Sequence, residues 1–436
     1  MEMLYQYLWK HGMVGEKIAG HRGRRIPTVD GASVTVLYPG IHNRDAGPDF
    51  MGARISMDHS EWAGNVEIHV KASDWYRHNH QTDPAYNSVI LHAVGVNDQR
   101  VATSDGRQLP QVVITCPESF ASLYLRLAEN ISQVKCQPML GEISPLSVTD
   151  WVSTLEVERM QQKAERVMQL TRFTGGDWEW TCFIMLARAL GFGLNSEPFE
   201  ILARSVPLTT LLHHSDDLLQ LEALLFGQAG MLDTSIHIFD DYYQQICREY
   251  FFLARKYGLR PMRRDLWKYA RTRPQNFPHR RVAMLAAAVE GGFRLMSDIL
   301  DAGADIDRQL ALLDWHLSDY WSTHADFDTD ASPNAASLVR ASRNLLLINF
   351  TAPLLYAYGD SRGNPDLTEA ALGIWEQLGA EANSIVRQWK SSGIPCDTAA
   401  ESQALLQLRK EYCDRNRCMD CRFGHTLLRN TIFRPE

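Results

Sequence analysis

The sequence predicts an α+β protein in which a mixed, β-rich region comes first, a large all-helical region follows, and a cysteine cluster lies near the C-terminus. Three observations predict it. Short runs rich in Val and Ile, bounded by Gly, Pro, Asn and Asp, fill the first 116 residues. Apolar residues at helical spacing dominate from about residue 147 onward. Three of the eight cysteines, Cys413, Cys418 and Cys421, fall within nine residues.

Taken in chain order, a helix is expected over 3–10 and strands over 33–37, 50–56, 65–71, 89–96 and 111–115. The stretch 138–145, with a proline at each end, marks the change to helix. In 147–170, Trp151, Leu155, Met160, Ala164 and Val167 recur at helical spacing, and similar patterns run through 181–190, 218–226, 282–300, 335–354 and 367–389. No repeat of fixed period emerges. The segment 191–200 lacks the lysine and glycine spacing of a phosphate loop and reads as a helix C-cap followed by a new start at Ser196. Thr398-Ala399-Ala400-Glu401 reads as a capping box opening a helix to about Tyr412. The expected division is 1–140, 146–390 and 391–436.

Composition bounds the class. At 436 residues the chain exceeds one typical core, and 45% hydrophobic with 22% charged residues is ordinary globular composition. No run of about eighteen apolar residues suits a membrane span, and the first residues, with acidic Glu2, do not resemble a signal peptide. A cytoplasmic protein with no membrane partner is expected. A net charge of −8 argues against a globally basic nucleic-acid coat, though not against a local basic track.

In the run 66–71, Glu67, His69 and Lys71 alternate with Val66, Ile68 and Val70, so on a strand the polar side chains share one face and the apolar ones the other. Upstream, Gly47-Pro48-Asp49-Phe50 places an acid just before another β-rich run. Two carboxylates, Asp49 and Glu67, can then share Mg²⁺ or Mn²⁺, which prefers oxygen ligands, while Lys71 stabilises charge or orients water.

At these residues the chain resembles the PD-(D/E)XK nuclease superfamily over roughly residues 1–116. The resemblance implies a restriction-endonuclease-like sheet with Asp49 and Glu67 as metal ligands, Lys71 as the catalytic lysine and Glu2 as the extra acid of some members. In that superfamily the acid and lysine stand two residues apart; here His69 takes the acid's place and Glu67 lies two residues earlier on the same face. The loop 71–89, with Asp74, His78, His80 and Asp83, leaves little room for the superfamily's long core helix. Through segments 45–50, 64–75 and 191–200 and the C-terminal cysteines, the chain also resembles an uncharacterised bacterial family known as a domain of unknown function.

Between Arg255 and Arg281 ten Lys or Arg residues, among them Arg263, Arg264, Lys268, Arg271 and Arg273, face a single acid, Asp265. Interleaved Tyr257, Trp267, Tyr269 and Phe277 suit base stacking, so this segment is a candidate DNA or RNA track; core aromatics with a solvated arginine face are the alternative. The C-x4-C-x2-C spacing of Cys413, Cys418 and Cys421 suits a structural metal, Zn²⁺ with His425 or Cys396 as fourth ligand, or an iron–sulfur cluster with Cys396.

The expected function is a metal-dependent nuclease hydrolysing phosphodiester bonds in DNA or RNA, with His69 as auxiliary ligand or base. Two other readings stand beside it. One is a non-catalytic nucleic-acid or protein-binding adaptor on a degenerate nuclease scaffold, in which case the protein is not an enzyme. The other is a metal hydrolase with His69, His78 and His80 as zinc ligands, preferring Zn²⁺ over Mg²⁺.

Overall fold

A computed structural model describes all residues except 18–23, 44, 59, 131, 133, 234–239, 271–276, 328, 331–336 and 434–436. The chain divides into two units, Met1–Val148 with Arg409–Glu436, and Thr149–Leu408. The expected third segment is thus split: up to Leu408 it belongs to the helical unit, and beyond that to the N-terminal one. Among the described residues no helix is long and apolar enough to cross a membrane.

The N-terminal unit opens with helix α1 (Glu2–Lys10), which buries Leu4, Tyr5, Leu8 and Trp9. Strands β1 (Glu16–Lys17), β2 (Arg24–Pro27), β3 (Ser33–Tyr38), β4 (Ile41–His42), β5 (Phe50–Met57), β6 (Ser60–Lys71), β7 (Val89–Val96) and β8 (Gln111–Val113) form one mixed sheet in the order β1-β2-β3-β5-β6-β7-β8, with β4 beside β5. The β1-to-β6 neighbours pair antiparallel, whereas β6 with β7 and β7 with β8 pair parallel. Thr28 bridges Val112, so the sheet curls toward closure between β2 and β8. Phe50, Val66, Ile68, Leu91 and Ala93 are fully buried, as apolar strand positions should be. Gly95 lets Tyr5 of α1 lie against the sheet, because a Cβ there would overlap the tyrosine ring.

A parallel pair requires a crossover, and here it is short: helix α2 (Asp74–Arg77) and two 3₁₀ turns, His80–Thr82 and Pro84–Ser88, connect β6 to β7. The expected shortage of room for a long helix is what the chain shows. After β8 comes helix α3 (Glu118–Glu129), and the last described element, the helix Arg422–Phe433, packs on it.

Among its described residues the second unit is helical, apart from the two-stranded pair His324–Asp326 and Thr329–Asp330. Its apolar core includes Phe183, Phe199, Leu224, Phe226, Trp321 and Trp375. Buried Glu200 is matched by Arg166, Arg188 and Arg204 at 2.6, 2.8 and 3.3 Å, as an acid removed from water requires. The capping box at Thr398 and Glu401 forms, and Ser196 opens a helix, both as expected. The expected helix 282–300 is instead two, Pro278–Ala287 and Leu295–Ala302, because Gly291 and Gly292 adopt φ of +75° and +109° between them. The expected 335–354 helix is continuous from Arg340 through a π-turn at Leu347–Thr351 to Arg362, whereas 367–389 is divided between Gln377 and Ser384.

Candidate metal centre

The alternation on β6 holds, but with a difference from expectation: the polar face is covered. Glu67 is 5% and His69 1% exposed, because the crossover folds back over them. The turn Gly47-Pro48-Asp49 brings the second acid alongside. Gly47 takes φ +105°, Asn43 donates its side-chain amide to the Pro48 carbonyl at 3.1 Å, and the Asn43 amide donates to the Asp49 carbonyl at 2.7 Å. Asp49 then accepts from Gln6 of α1 at 2.9 Å and from the Ile68 amide at 3.0 Å, while its own amide donates to Glu67 at 3.0 Å.

Three histidines close the site. The crossover reverses at Asn79, which has a left-handed φ of +63°, so His78 and His80 on either side of it both reach His69. His69 Nε2 lies 3.1 Å from His78 Nδ1, and His69 Nδ1 lies 2.9 Å from His92 Nε2, one nitrogen of each pair donating. The free oxygen of Glu67, Oε1, approaches His69 Nε2 at 3.5 Å and His80 Nε2 at 3.3 Å. His80 stacks on Tyr86 with ring centres 3.8 Å apart, and its buried Nε2 makes no hydrogen bond among the described residues. Ligand atoms of His69, His78 and His80 all lie within 4.8 Å of one another.

The separations of His69 from His78 and of Glu67 from His69 and His80 are close to those of a coordination shell. Nitrogen ligands 2.0–2.1 Å from a tetrahedral ion stand about 3.4 Å apart. The electrostatics agree. Burial, with Glu67 as neighbour, pushes Asp49 up to about 7, and burial pushes Glu67 up to about 8 against the pull of the Asp49 amide. Burial, with His80 and His78 nearby, pushes His69 down to about 3, and burial likewise lowers His92 to about 3 and depresses His80. Neutral imidazoles are the ligating form, and two dehydrated acids are stabilised by a cation.

The other expected site residues are placed as follows. Glu2 adds to the field that raises Asp49 and Glu67. Lys71 is exposed where β6 ends, and its backbone amide donates to Asp74 at 3.1 Å. His92 escaped the sequence reading, although a single histidine in an otherwise apolar strand was the available signal; parallel pairing sets it opposite Glu67.

His425 is engaged elsewhere, 2.5 Å from Tyr7 Oη and packed against His11. Cys396 belongs to the helical unit, whereas Cys413, Cys418 and Cys421 belong to the N-terminal one and share a pocket with Cys136.

In the helical unit, Arg263 is exposed and paired with Asp265 at 2.5 Å; Arg264 and Lys268 are exposed. Arg271 and Arg273 lie outside the described residues. The aromatic residues expected to stack on bases are drawn inward: Trp267 is buried, donating to the Ala229 carbonyl at 2.8 Å, and Tyr257 and Tyr269 pack against the core. Arg280 and Arg281 are also buried, the former donating to the His324 carbonyl at 2.9 Å.

The model of one family, described as a protein of unknown function (DUF2851), matches residues 2–384. The chain belongs to the DUF2851 family. The match spans the sheet, the crossover and nearly all of the helical unit, so the histidine group lies within the DUF2851 region and the three C-terminal cysteines beyond it. No curated protein and no solved structure matches this DUF2851 chain.

Proposed function

We propose that the N-terminal unit is a metal-dependent hydrolase, that His69, His78 and His80 hold its divalent ion, and that its substrate is a phosphodiester bond of DNA or RNA. The observation that carries the reading is the convergence of His69, His78 and His80, whose ligand atoms all lie within 4.8 Å of one another. Imidazole donors favour Zn²⁺ over Mg²⁺ as the resident ion. An ion held there would lower the pKa of a bound water and polarise a phosphate oxygen.

The chain's own residues have separate tasks. His92 orients the His69 ring, Gln6 and the Ile68 amide fix Asp49, and Glu67 accepts a proton through Oε1. Trp75 and Tyr86 exclude bulk water from the covered side. Support for a nucleic-acid substrate comes from two features. The order α1, antiparallel β3-β5-β6, crossover and parallel β7, with acids at the start of β5 and on β6, agrees with the restriction-endonuclease-like core that the sequence resembles. In the same unit a cavity of about 750 Å³ is lined by Lys10, His11, Arg24, His425 and Arg429, with no acid among the described residues that line it, as a phosphate would require.

A second reading has its own observation. If Glu67 Oε1 is a fourth ligand, the tetrahedron is closed, no position remains for water, and the unit is a metal-stabilised adaptor on a nuclease-like scaffold. Metal analysis joined to cleavage of labelled single- and double-stranded DNA and RNA separates the two. The hydrolase predicts about one ion per chain, cutting with Zn²⁺ or Mn²⁺, and a loss of at least about a hundredfold in Glu67→Gln with the metal retained. A folded, metal-loaded chain that cuts none of them would leave the adaptor; a folded chain that binds no metal would remove the centre itself.

A further inference from the structure

The expected C-terminal metal cluster lacked a fourth ligand, and the fold supplies one that spacing along the chain does not suggest. Cys136 directly precedes the 3₁₀ turn Gln137–Glu142; Cys413 closes the π-turn Leu408–Cys413; Cys418 and Cys421 lie in the loop before the helix Arg422–Phe433. Their four side chains line one pocket, whose remaining wall is Leu127, Lys135, Tyr412 and Gly424. Cys136, Cys413 and Cys421 are buried, and Cys418 is half-buried. Gly424 is part of the construction, because a Cβ there would overlap the Cys418 carbonyl and push the loop off the helix.

Four thiols gathered under cover need a reason. Burial raises Cys136 to about 12 and also raises Cys413 and Cys418, so without a cation these three are neutral thiols. The spacing discriminates between metals. Sulfurs 2.3 Å from a single tetrahedral zinc stand about 3.8 Å apart. Among the described residues, the histidines alone form a group of three donors within 4.8 Å of one another, so no three of these sulfurs are that close. Thiolates that each bind a separate iron of a cubane stand farther apart. Lys135, whose charge opposes the burial that raises Cys418, sets a cation beside the anionic assembly.

We propose that Cys136, Cys413, Cys418 and Cys421 are the four thiolate ligands of a [4Fe–4S] cluster that fastens the returning C-terminal segment to the N-terminal unit. The centre is separate from the histidine site and stands or falls without it.

The test is iron, sulfide and zinc analysis with visible and EPR spectroscopy on the full chain, purified without oxygen and reconstituted with iron and sulfide. Wild type is expected to carry about four irons and four acid-labile sulfides per chain. Cys136→Ala and Cys418→Ser should each fall below about a tenth of that, while Cys396→Ala and Cys116→Ala keep it. Sulfide separates this centre from any iron taken up by the histidines. Because Cys136→Ala can fail to fold, half-buried Cys418→Ser gives a second reading, and the wild-type spectrum a third. Stoichiometric zinc without sulfide, a full cluster in folded Cys136→Ala, or a wild type that stays colourless after reconstitution would each overturn the proposal.

Discussion

Asn79 and His92 show how single residues hold the histidine group together. The left-handed turn at Asn79 costs a β-branched residue roughly 1–2 kcal/mol, whereas glycine adopts it freely. Asn79→Gly is therefore expected to keep metal affinity within a few-fold, and Asn79→Val to weaken it by at least about tenfold, read by chelator competition; equal affinities would detach the turn from the centre. His92 touches His69, which is proposed as a ligand, and loss of such a partner of a metal ligand typically weakens binding about 10–100-fold. His92→Phe should do this with the fold retained, while His92→Gln, able to donate or accept, should recover part of it. At this scale the sequence was informative about Asp49, Glu67 and His69, because a two-residue period declares a strand face. It was silent about burial of that face, since the covering residues come from a crossover whose path depends on one backbone torsion.

Among the elements, the helix Leu218–Gln228 carries the most informative misfit. Glu222 is buried on it, accepting from Tyr242 at 2.7 Å and from Ser318 at 2.8 Å, yet burial raises its carboxyl to about 7 from an ordinary 4.5. A raised folded-state pKa means that below about 4.5 folded and unfolded chains are both protonated there and the stability is fully present. Between about 4.5 and about 7 the unfolded chain has lost a proton that the folded chain still holds, so stability falls as pH rises, by on the order of 3 kcal/mol once both are ionised. Glu222→Gln should remove this decline, seen as a flatter denaturant midpoint across that window than in wild type; parallel curves would show that the acid is better solvated than its surroundings imply. The helix boundaries teach a related lesson. Apolar spacing continues across Gly291 and Gly292, so periodicity joins two helices that left-handed backbone separates.

On the scale of the whole molecule, the N-terminal unit is assembled from two distant stretches of chain. The helix starts at Thr398 and Ser196 follow from neighbours in sequence and were legible; the meeting of Cys136 with Cys413 depends on chain return and was not. The returning helix Arg422–Phe433 packs on α3, and His425 on it meets Tyr7 of α1, the helix whose Gln6 holds Asp49. Ending the chain at Leu408 should therefore lower the thermal midpoint of the sheet unit and weaken metal binding at the histidines, although none of them is removed. Unchanged binding in the shortened chain would make the returning helix an ornament of the sheet unit and not a support.

That division also sets a timetable for biosynthesis. The ribosome delivers α1 through α3 first and then residues 149–408, so at about 5–20 residues per second the nascent sheet waits for roughly tens of seconds before its closing helix exists. Throughout that interval Phe120, Leu123 and Leu127 of α3, buried in the finished protein, lack part of their cover. The newborn chain is most in need of a chaperone while its helical unit is being made, and the four cysteines can meet only after that unit has left the ribosome.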